Sequence, residues 1–418
     1  MRERVVVTGM GVITPLGLNL EETWQNLIEG KSGVKKLDSR ISSQVSAAAT
    51  INNFQPENYL PEKELIRVHR SVQFACAAVK EALDDCDLDV DNRALFDVAS
   101  EAIGIVMGTG IGGGSEIAEM EDMILAHGDR KISQYSMLNL LPERGATVPS
   151  KLYELKAHAS DKCGACATGG LAIEDGDRIL QTENHVKAMV VGGTEAVIHR
   201  IGIGGFNAMK ALSRKSGDPE KISRPFDKKA DGFVMGEGAG ALILEKLDNT
   251  LRDGFLRGSY ISAELIGYGD SSDAFHDTAP SGEGATRAIR IALEKAGIKP
   301  EDVNYINTHG TSTLVGDAIE LDSLSSVFGK HLKQIAVSST KSMTGHMLGA
   351  AGAVEAIFCI KAIQTGIVPP TINLWRPIRK GLNLVKGKAQ RREVNIAMSN
   401  SFGFGGINSV LIFKKFTQ

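Results

Sequence analysis

Cysteines are few in this chain, its net charge is close to zero and no long apolar run occurs; each absence removes a class of protein. Only five cysteines (Cys76, Cys86, Cys163, Cys166 and Cys359) occur in 418 residues. An odd, scattered set does not make a disulfide framework, so a reducing, cytoplasmic setting is expected. The formal charge of −3, from 47 basic and 50 acidic side chains, gives no electrostatic case for a nucleic-acid partner. No stretch reaches the roughly 18 uninterrupted apolar residues of a membrane span. The opening run Val5-Val6-Val7 is too short and wrongly flanked for a secretion signal, and is expected to be a first buried strand. No short-period repeat or low-complexity tract is present, which argues against solenoids and linkers.

What remains is a globular composition, 42% hydrophobic and 23% charged, with room for one large core or two packed ones. Many of the 46 glycines fall where apolar runs end: after Val5–Val7, Ile103–Met107 and Met189–Val191, and around Phe404. Strands meeting tight turns produce that pattern. Helical spacing appears between the runs, as in Val72, Ala75, Cys76, Val79 and Leu83, or Ala288, Ile291, Leu293 and Ala296. Alternating strands and helices predict an α/β fold. The consecutive apolar residues of 188–193 and 240–245 suit strands covered on both faces. A polar joint at 250–258 divides the chain into expected halves 1–254 and 255–418.

Three small-residue loops can carry chemistry. Cys163-Gly164-Ala165-Cys166-Ala167-Thr168-Gly169-Gly170 leads into a helical pattern, so Cys166 is expected near a helix N-terminus, where free N–H groups and the dipole favour a thiolate nucleophile. The alternative is a buried cysteine in a glycine-rich bend. His309 stands in Asn307-Thr308-His309-Gly310-Thr311-Ser312-Thr313, followed by Asp317 and Glu320. His346 ends Lys341-Ser342-Met343-Thr344-Gly345-His346 and is followed by Glu355. Each histidine follows a strand-like run and precedes a helix-like one, the place where α/β folds put their sites. A solvated loop histidine is the plainer reading of either alone. Cys163 and Cys166 form a Cys-x-x-Cys pair, but a structural zinc needs two more ligands at matched spacing, so no metal is expected. The rival hypothesis is dinucleotide binding by Gly108-Thr109-Gly110-Ile111-Gly112-Gly113; no acidic residue closes a second strand about 20 residues on, so the context fails.

Together the motifs resemble the elongating β-ketoacyl-acyl-carrier-protein synthases of the thiolase-like superfamily. The resemblance runs from Val6-Val7-Thr8-Gly9-Met10-Gly11 through 108–113, Gly204-Gly205-Phe206, Ser223-Arg224-Pro225-Phe226-Asp227, Asp231-Gly232-Phe233 and both histidine loops to Ser399-Asn400-Ser401-Phe402-Gly403-Phe404-Gly405-Gly406. It implies a five-layered α-β-α-β-α fold of two similar halves, a homodimer, and acyl carrier protein in acyl and malonyl forms as partner, with no organic cofactor. Polyketide-type ketosynthases and noncatalytic chain-length partner subunits share that fold; the latter replace the nucleophile.

By the same resemblance Cys166 holds the acyl chain, and His309 and His346 stabilise the enolate formed on decarboxylation. Backbone N–H groups of Cys166 and Phe404 make an oxyanion hole. Lys341 and Glu355, with Asp317 and Glu320, support the site; Thr311, Thr313 and Phe402 meet the substrate; Ile111 limits acyl depth; Phe404 gates the pocket. Lys63, Arg67, Arg70, Lys210 and Arg214 are candidates for the basic dock. One segment departs from the family: Asp161 and Lys162 stand where a buried strand is expected, and Glu174, Asp175 and Asp177 put three acids into a helix normally buried. Unpaired, such acids cost several kcal/mol or titrate to neutral; pairing of one of them with Lys162 would reduce that cost.

Overall fold

Ten strands carry the architecture, and their order repeats. The computed structural model describes residues 2–86, 100–248 and 260–417. The strands are β1 (Val5–Ile13), β2 (Ile103–Gly108), β3 (Ala159–Ser160), β4 (Ala188–Glu195), β5 (Gly238–Lys246), β6 (Ala263–Ser272), β7 (Tyr305–Asn307), β8 (Ala336–Ser338), β9 (Ile396–Gly403) and β10 (Ile407–Lys414). Their spatial order is β8-β7-β9-β10-β6-β1-β5-β4-β2-β3. Adding five to each label of the first half reproduces the second. Strand directions repeat too: β2 runs parallel to β3 and β4, and β7 parallel to β8 and β9. The remaining neighbours in each half are antiparallel. Among the described residues the two five-stranded sheets are joined as strands where Val6 pairs with Glu264 and Val7 with Ala263.

Seven helices matter for the site: α1 (Arg70–Asp85), α2 (Gly114–His127), α3 (Thr168–Thr182), α4 (Arg200–Ala208), α5 (Glu283–Ala296), α6 (Leu314–Phe328) and α7 (Ala351–Thr365). Helix α1 covers β1 and β5 from outside, and α5 covers β6 and β10. Helices α3 and α7 pack on each other, α3 against β4 and α7 against β9 and β5. This is the expected α-β-α-β-α stack. Strands β1, β2, β4 and β5 are buried at every position, as helices on both faces require. The proposed boundary at 254/255 lies outside the described residues.

The two central helices cross backbone to backbone. A Cβ on Gly169 would stand 2.5 Å from Ala353 N, and one on Gly352 would stand 2.7 Å from Gly170 N. Glycine at the crossing brings the first turns of α3 and α7 together, and with them the loops that precede each helix. The stretch Leu348–Thr365 has the length and composition of a membrane span, but it carries Glu355 and Lys361 and is 83% buried inside the protein, as a core helix is.

The departing segment is accommodated by a shortened strand and by ion pairs. Strand β3 ends at Ser160, so Asp161 and Lys162 are half-buried beyond it and not inside it. Lys162 Nζ lies 2.5 Å from Asp175 Oδ2. Glu174 and Asp177 are fully buried; Glu174 pairs with Arg178 one turn on, and Asp177 with Arg2 at 3.0 Å.

Candidate active site

Each half sends the loop before its central helix to one point. In the first half a single turn, Ala165–Ala167, precedes α3. Ala165 adopts φ 49°, a left-handed conformation strained for a residue with a side chain. The turn holds Cys166, 6% exposed, at the helix start. In the second half the loop after β7 carries His309, and the turns between β8 and α7 carry Lys341 and His346. The Cys166 sulfur and a nitrogen of each imidazole lie within 4.8 Å of one another. The two imidazoles stand edge to face, 5.3 Å between centres.

The support of each group is visible. The Glu320 carboxylate on α6 accepts from His309 N at 2.9 Å, Gly310 N at 2.7 Å and Asn400 Nδ2 at 3.1 Å, which fixes the His309 loop. Asp317, one turn earlier, accepts from Phe226 N at 2.7 Å and Ser312 N at 3.2 Å. Burial pushes both carboxyls up, Asp317 to about 7. Lys341 and Glu355 form an ion pair at 2.5 Å with both side chains 1% exposed. Burial pushes Glu355 up to about 7 while Lys341 pulls it back.

Burial, reinforced by the Lys341 cation, holds both histidines well below their ordinary value, so both imidazoles are neutral near pH 7. His309 Nδ1 and both ring nitrogens of His346 have no hydrogen-bond partner among the described residues. They are free to serve a substrate.

Cys166 sits where the sequence predicts, but its expected acidity does not follow. Burial pushes the thiol up to about 12, against the opposing pull of Lys341 and of a hydrogen bond from Phe404 N–H. Removing a thiolate from water outweighs what a helix terminus returns. Cys163, by contrast, is exposed, with its sulfur 3.6 Å from Gly110 O.

A cavity of about 300 Å³ opens from the sulfur to the surface. Its wall includes His309, His346, Thr311, Thr313, Phe402 and Phe404, with Asp317 and Glu320 behind and Lys210 at the rim. The Thr311 and Thr313 hydroxyls are 3.0 Å apart. Phe404 is half-buried and stacks on Phe206 at 6.2 Å; Gly405 and Gly406 beyond it have φ 80° and 73°. Ile111 is 41% exposed and outside this wall. The basic candidates divide. Lys63 is exposed, Arg67 pairs with Glu64 and covers Tyr135, and Arg70 is held by Glu237 at 2.9 Å. Arg214 is exposed and bonded to Asn207.

Sequence reasoning missed Glu195. It is fully buried at the end of β4 and accepts from Thr109 Oγ1 at 3.0 Å, Gly110 N at 3.0 Å and Gly349 N at 3.1 Å. A charge closing an apolar run was its one sequence signal. Gly110 N–H, one of the groups that would cradle a phosphate in the dinucleotide reading of 108–113, is held by this internal carboxylate.

Comparison with known proteins agrees with the site. Residues 2–250 match the family model "Beta-ketoacyl synthase, N-terminal domain", and 262–375 match "Beta-ketoacyl synthase, C-terminal domain". A curated relative, the 3-oxoacyl-[acyl-carrier-protein] synthase 2 of Staphylococcus aureus (strain N315), is 41% identical over 420 residues, 99% of each chain. Among solved structures, the ishigamide ketosynthase/chain length factor is 33% identical with TM-score 0.90 over the whole of both chains. A type II polyketide acyl-carrier protein in complex with its ketosynthase bound to the hexaketide gives 30% identity and TM-score 0.87, again over both whole chains. A nucleophile and two neutral histidines converging from two like halves, with both family models matched in order, make this chain a member of the β-ketoacyl synthase family.

Proposed function

We propose that the chain is an elongating β-ketoacyl-acyl-carrier-protein synthase of fatty acid biosynthesis, condensing malonyl carrier protein with an acyl chain held on Cys166. The observation that carries this reading is the Cys166 sulfur with two neutral imidazoles within 4.8 Å. In the first half-reaction the sulfur attacks the acyl thioester carbonyl and displaces the carrier thiol. A neutral imidazole takes the Cys166 proton and returns it to that leaving thiol. The backbone N–H groups of Cys166 and Phe404 face the developing oxyanion, a device worth about 3–4 kcal/mol per donor. In the second, the malonyl carboxylate leaves as carbon dioxide and its electron pair passes into an enolate, whose oxygen accepts from His309 and His346. The enolate carbon attacks the acyl thioester, forms the new carbon–carbon bond and releases the Cys166 sulfur. The Lys341 cation stabilises negative charge through this sequence.

The carrier protein as partner is supported by the relative's name and by the carrier complex among the solved neighbours. Lys210 and Arg214 near the cavity mouth, with Lys63, Arg67 and Arg70, are the proposed dock, and Thr311, Thr313 and Phe402 the arm and acyl contacts. Exposed apolar side chains before, on and beyond α2, among them Ile111, Ile117, Leu125 and Met137, support a homodimer that covers them. The division into halves 1–254 and 255–418 and a cytoplasmic location belong to the same reading. A polyketide-type role is the second reading, favoured by the ketosynthase neighbours; a noncatalytic partner would lack Cys166.

Intact mass after incubation with a medium-chain acyl carrier protein tests this. One acyl adduct on the wild type and none on Cys166→Ala is expected. A folded wild type that never acquires an adduct from any acyl carrier protein overturns the proposal, and product length with malonyl carrier protein separates the two readings.

A further inference from the structure

The carboxylate of Glu195 draws three loops together. Thr109, Gly110 and Ile111 come from the loop after β2; Ala196 and Val197 follow Glu195 itself; Leu348 and Gly349 come from the turn ahead of α7. Besides the three donors above, Ile111 N–H also reaches the carboxylate. The fit leaves no slack. A Cβ on Gly349 would stand 2.3 Å from Gly110 N, and one on Gly110 would stand 2.8 Å from Glu195 Oε2. Each loop also borders the nucleophile. Val197 and Leu348 share one apolar cluster with Cys166 and Ile203, and the Gly110 backbone abuts the turn at Cys163–Ala165.

We propose that Glu195 is a positioning residue that sets which acyl chains Cys166 accepts, by stapling these three loops. The inference rests on the synthase reading, since an acyl chain on the sulfur must lie against apolar side chains, and Val197 and Leu348 are buried in the apolar cluster that holds the sulfur, outside the wall of the open cavity. One carboxylate serving loops 85 and 154 residues away fixes the spacing of that cluster in a way no local contact can. Shortening it by one methylene leaves Gly110 and Gly349 unable to share it, and the released loops settle inward. Long chains lose their space first.

Glu195→Asp, Glu195→Gln and Thr109→Val are compared with wild type by intact mass across hexanoyl to tetradecanoyl carrier proteins, with Cys166 alkylation by iodoacetamide as a probe that needs no acyl pocket. Glu195→Asp is expected to lose about tenfold more acylation with decanoyl and longer donors than with hexanoyl, the scale on which a pocket feels one methylene. Alkylation stays within about twofold of wild type, since the sulfur is untouched. Glu195→Gln keeps the length and one acceptor oxygen for the two glycine N–H groups but turns an amide NH2 toward Thr109, so its profile stays closer to wild type than that of Glu195→Asp. Thr109→Val removes, at equal size, the donor to Glu195 and the acceptor of Gly112 N–H in the same loop, and shifts the profile in the same direction as Glu195→Asp; should the latter fail to fold, Thr109→Val decides. A loss equal at every chain length, or a parallel loss of alkylation, overturns the inference and leaves Glu195 a structural residue. Wild type acylated by no donor overturns the synthase reading and this one with it.

Discussion

Helices α3 and α7 occupy equivalent places in the two halves, and each buries one glutamate completely, Glu174 and Glu355. Their partners differ. Glu355 faces Lys341, itself 1% exposed, and the pair stays inside. Glu174 leans on Arg178, whose side chain is 47% exposed, and also meets Asp270. Burial, then Asp270, pushes Glu174 up to about 8, with Arg178 and Lys295 opposing. A buried charge beside the site is therefore drawn back toward its ionised form by a buried counter-charge. One that points away from the reaction is relieved by taking up a proton. Equivalent helices carry two electrostatic solutions, and only one of the two carboxyls lies against the site's cation.

Breaking the buried pair has the largest expected effect. Lys341→Ala leaves Glu355 alone in the core, which costs about 3–5 kcal/mol of stability. It also removes the cation felt by Cys166, His309 and His346. Acylation and decarboxylation should both fall about 10²-fold or more, as when a transition-state partner of charge is lost. Urea melts and single-turnover acylation measure the two losses. A variant that melts like wild type and still condenses would show the pair to be ornamental.

The Glu174 side of the comparison predicts a pH dependence of definite sign. Its carboxyl is pushed up to about 8 in the folded chain, against about 4.3 in the unfolded one. Between those values the folded state holds a proton that the unfolded state has released. The stability this contributes is full below pH 4.3 and is lost as pH rises through 8. Glu174→Gln mimics the protonated form and does not titrate. Its melting temperature relative to wild type should therefore climb with pH across this window and level off above 8. A difference independent of pH would mean that Arg178 keeps Glu174 ionised throughout.

Much of this was legible in the chain because it is local. Apolar runs closed by glycine mark the strands, and Cys166, His309 and His346 each stand in a small-residue loop between a strand-like run and a helix-like one. Glu195 was not legible, because its meaning lies in loops brought together from 85 and 154 residues away. The thiol's acidity failed for the same reason: a helix terminus is a local feature, whereas the burial that overrides it is made by the whole fold. Arg70, a candidate for the dock, is held by Glu237, a partner 167 residues off that no charge pattern announces. The repeat of strand order was implied by the family resemblance and not by any repeat in the residues, since the halves agree in topology without an evident repeat in sequence.

The smallest effect belongs to Lys162 and Asp175, the remaining acid of α3 and the one that most resembles a surface charge. Their side chains are 33% and 24% exposed, so water screens the pair even at 2.5 Å. Such a pair contributes about 0–1 kcal/mol. What ties this segment to the nucleophile is backbone: Lys162 O accepts from Thr109 N at 3.2 Å, and a Cβ on Gly108 would stand 2.4 Å from that same oxygen. Lys162→Ala keeps that carbonyl and loses only the ammonium. It should melt within about 1 kcal/mol of wild type and acylate Cys166 at nearly the same rate. A loss nearer that of Lys341→Ala would mean that the charged segment, and not only the turn beyond it, holds Cys166 in place, and the contrast between charges facing the site and charges facing away would no longer stand.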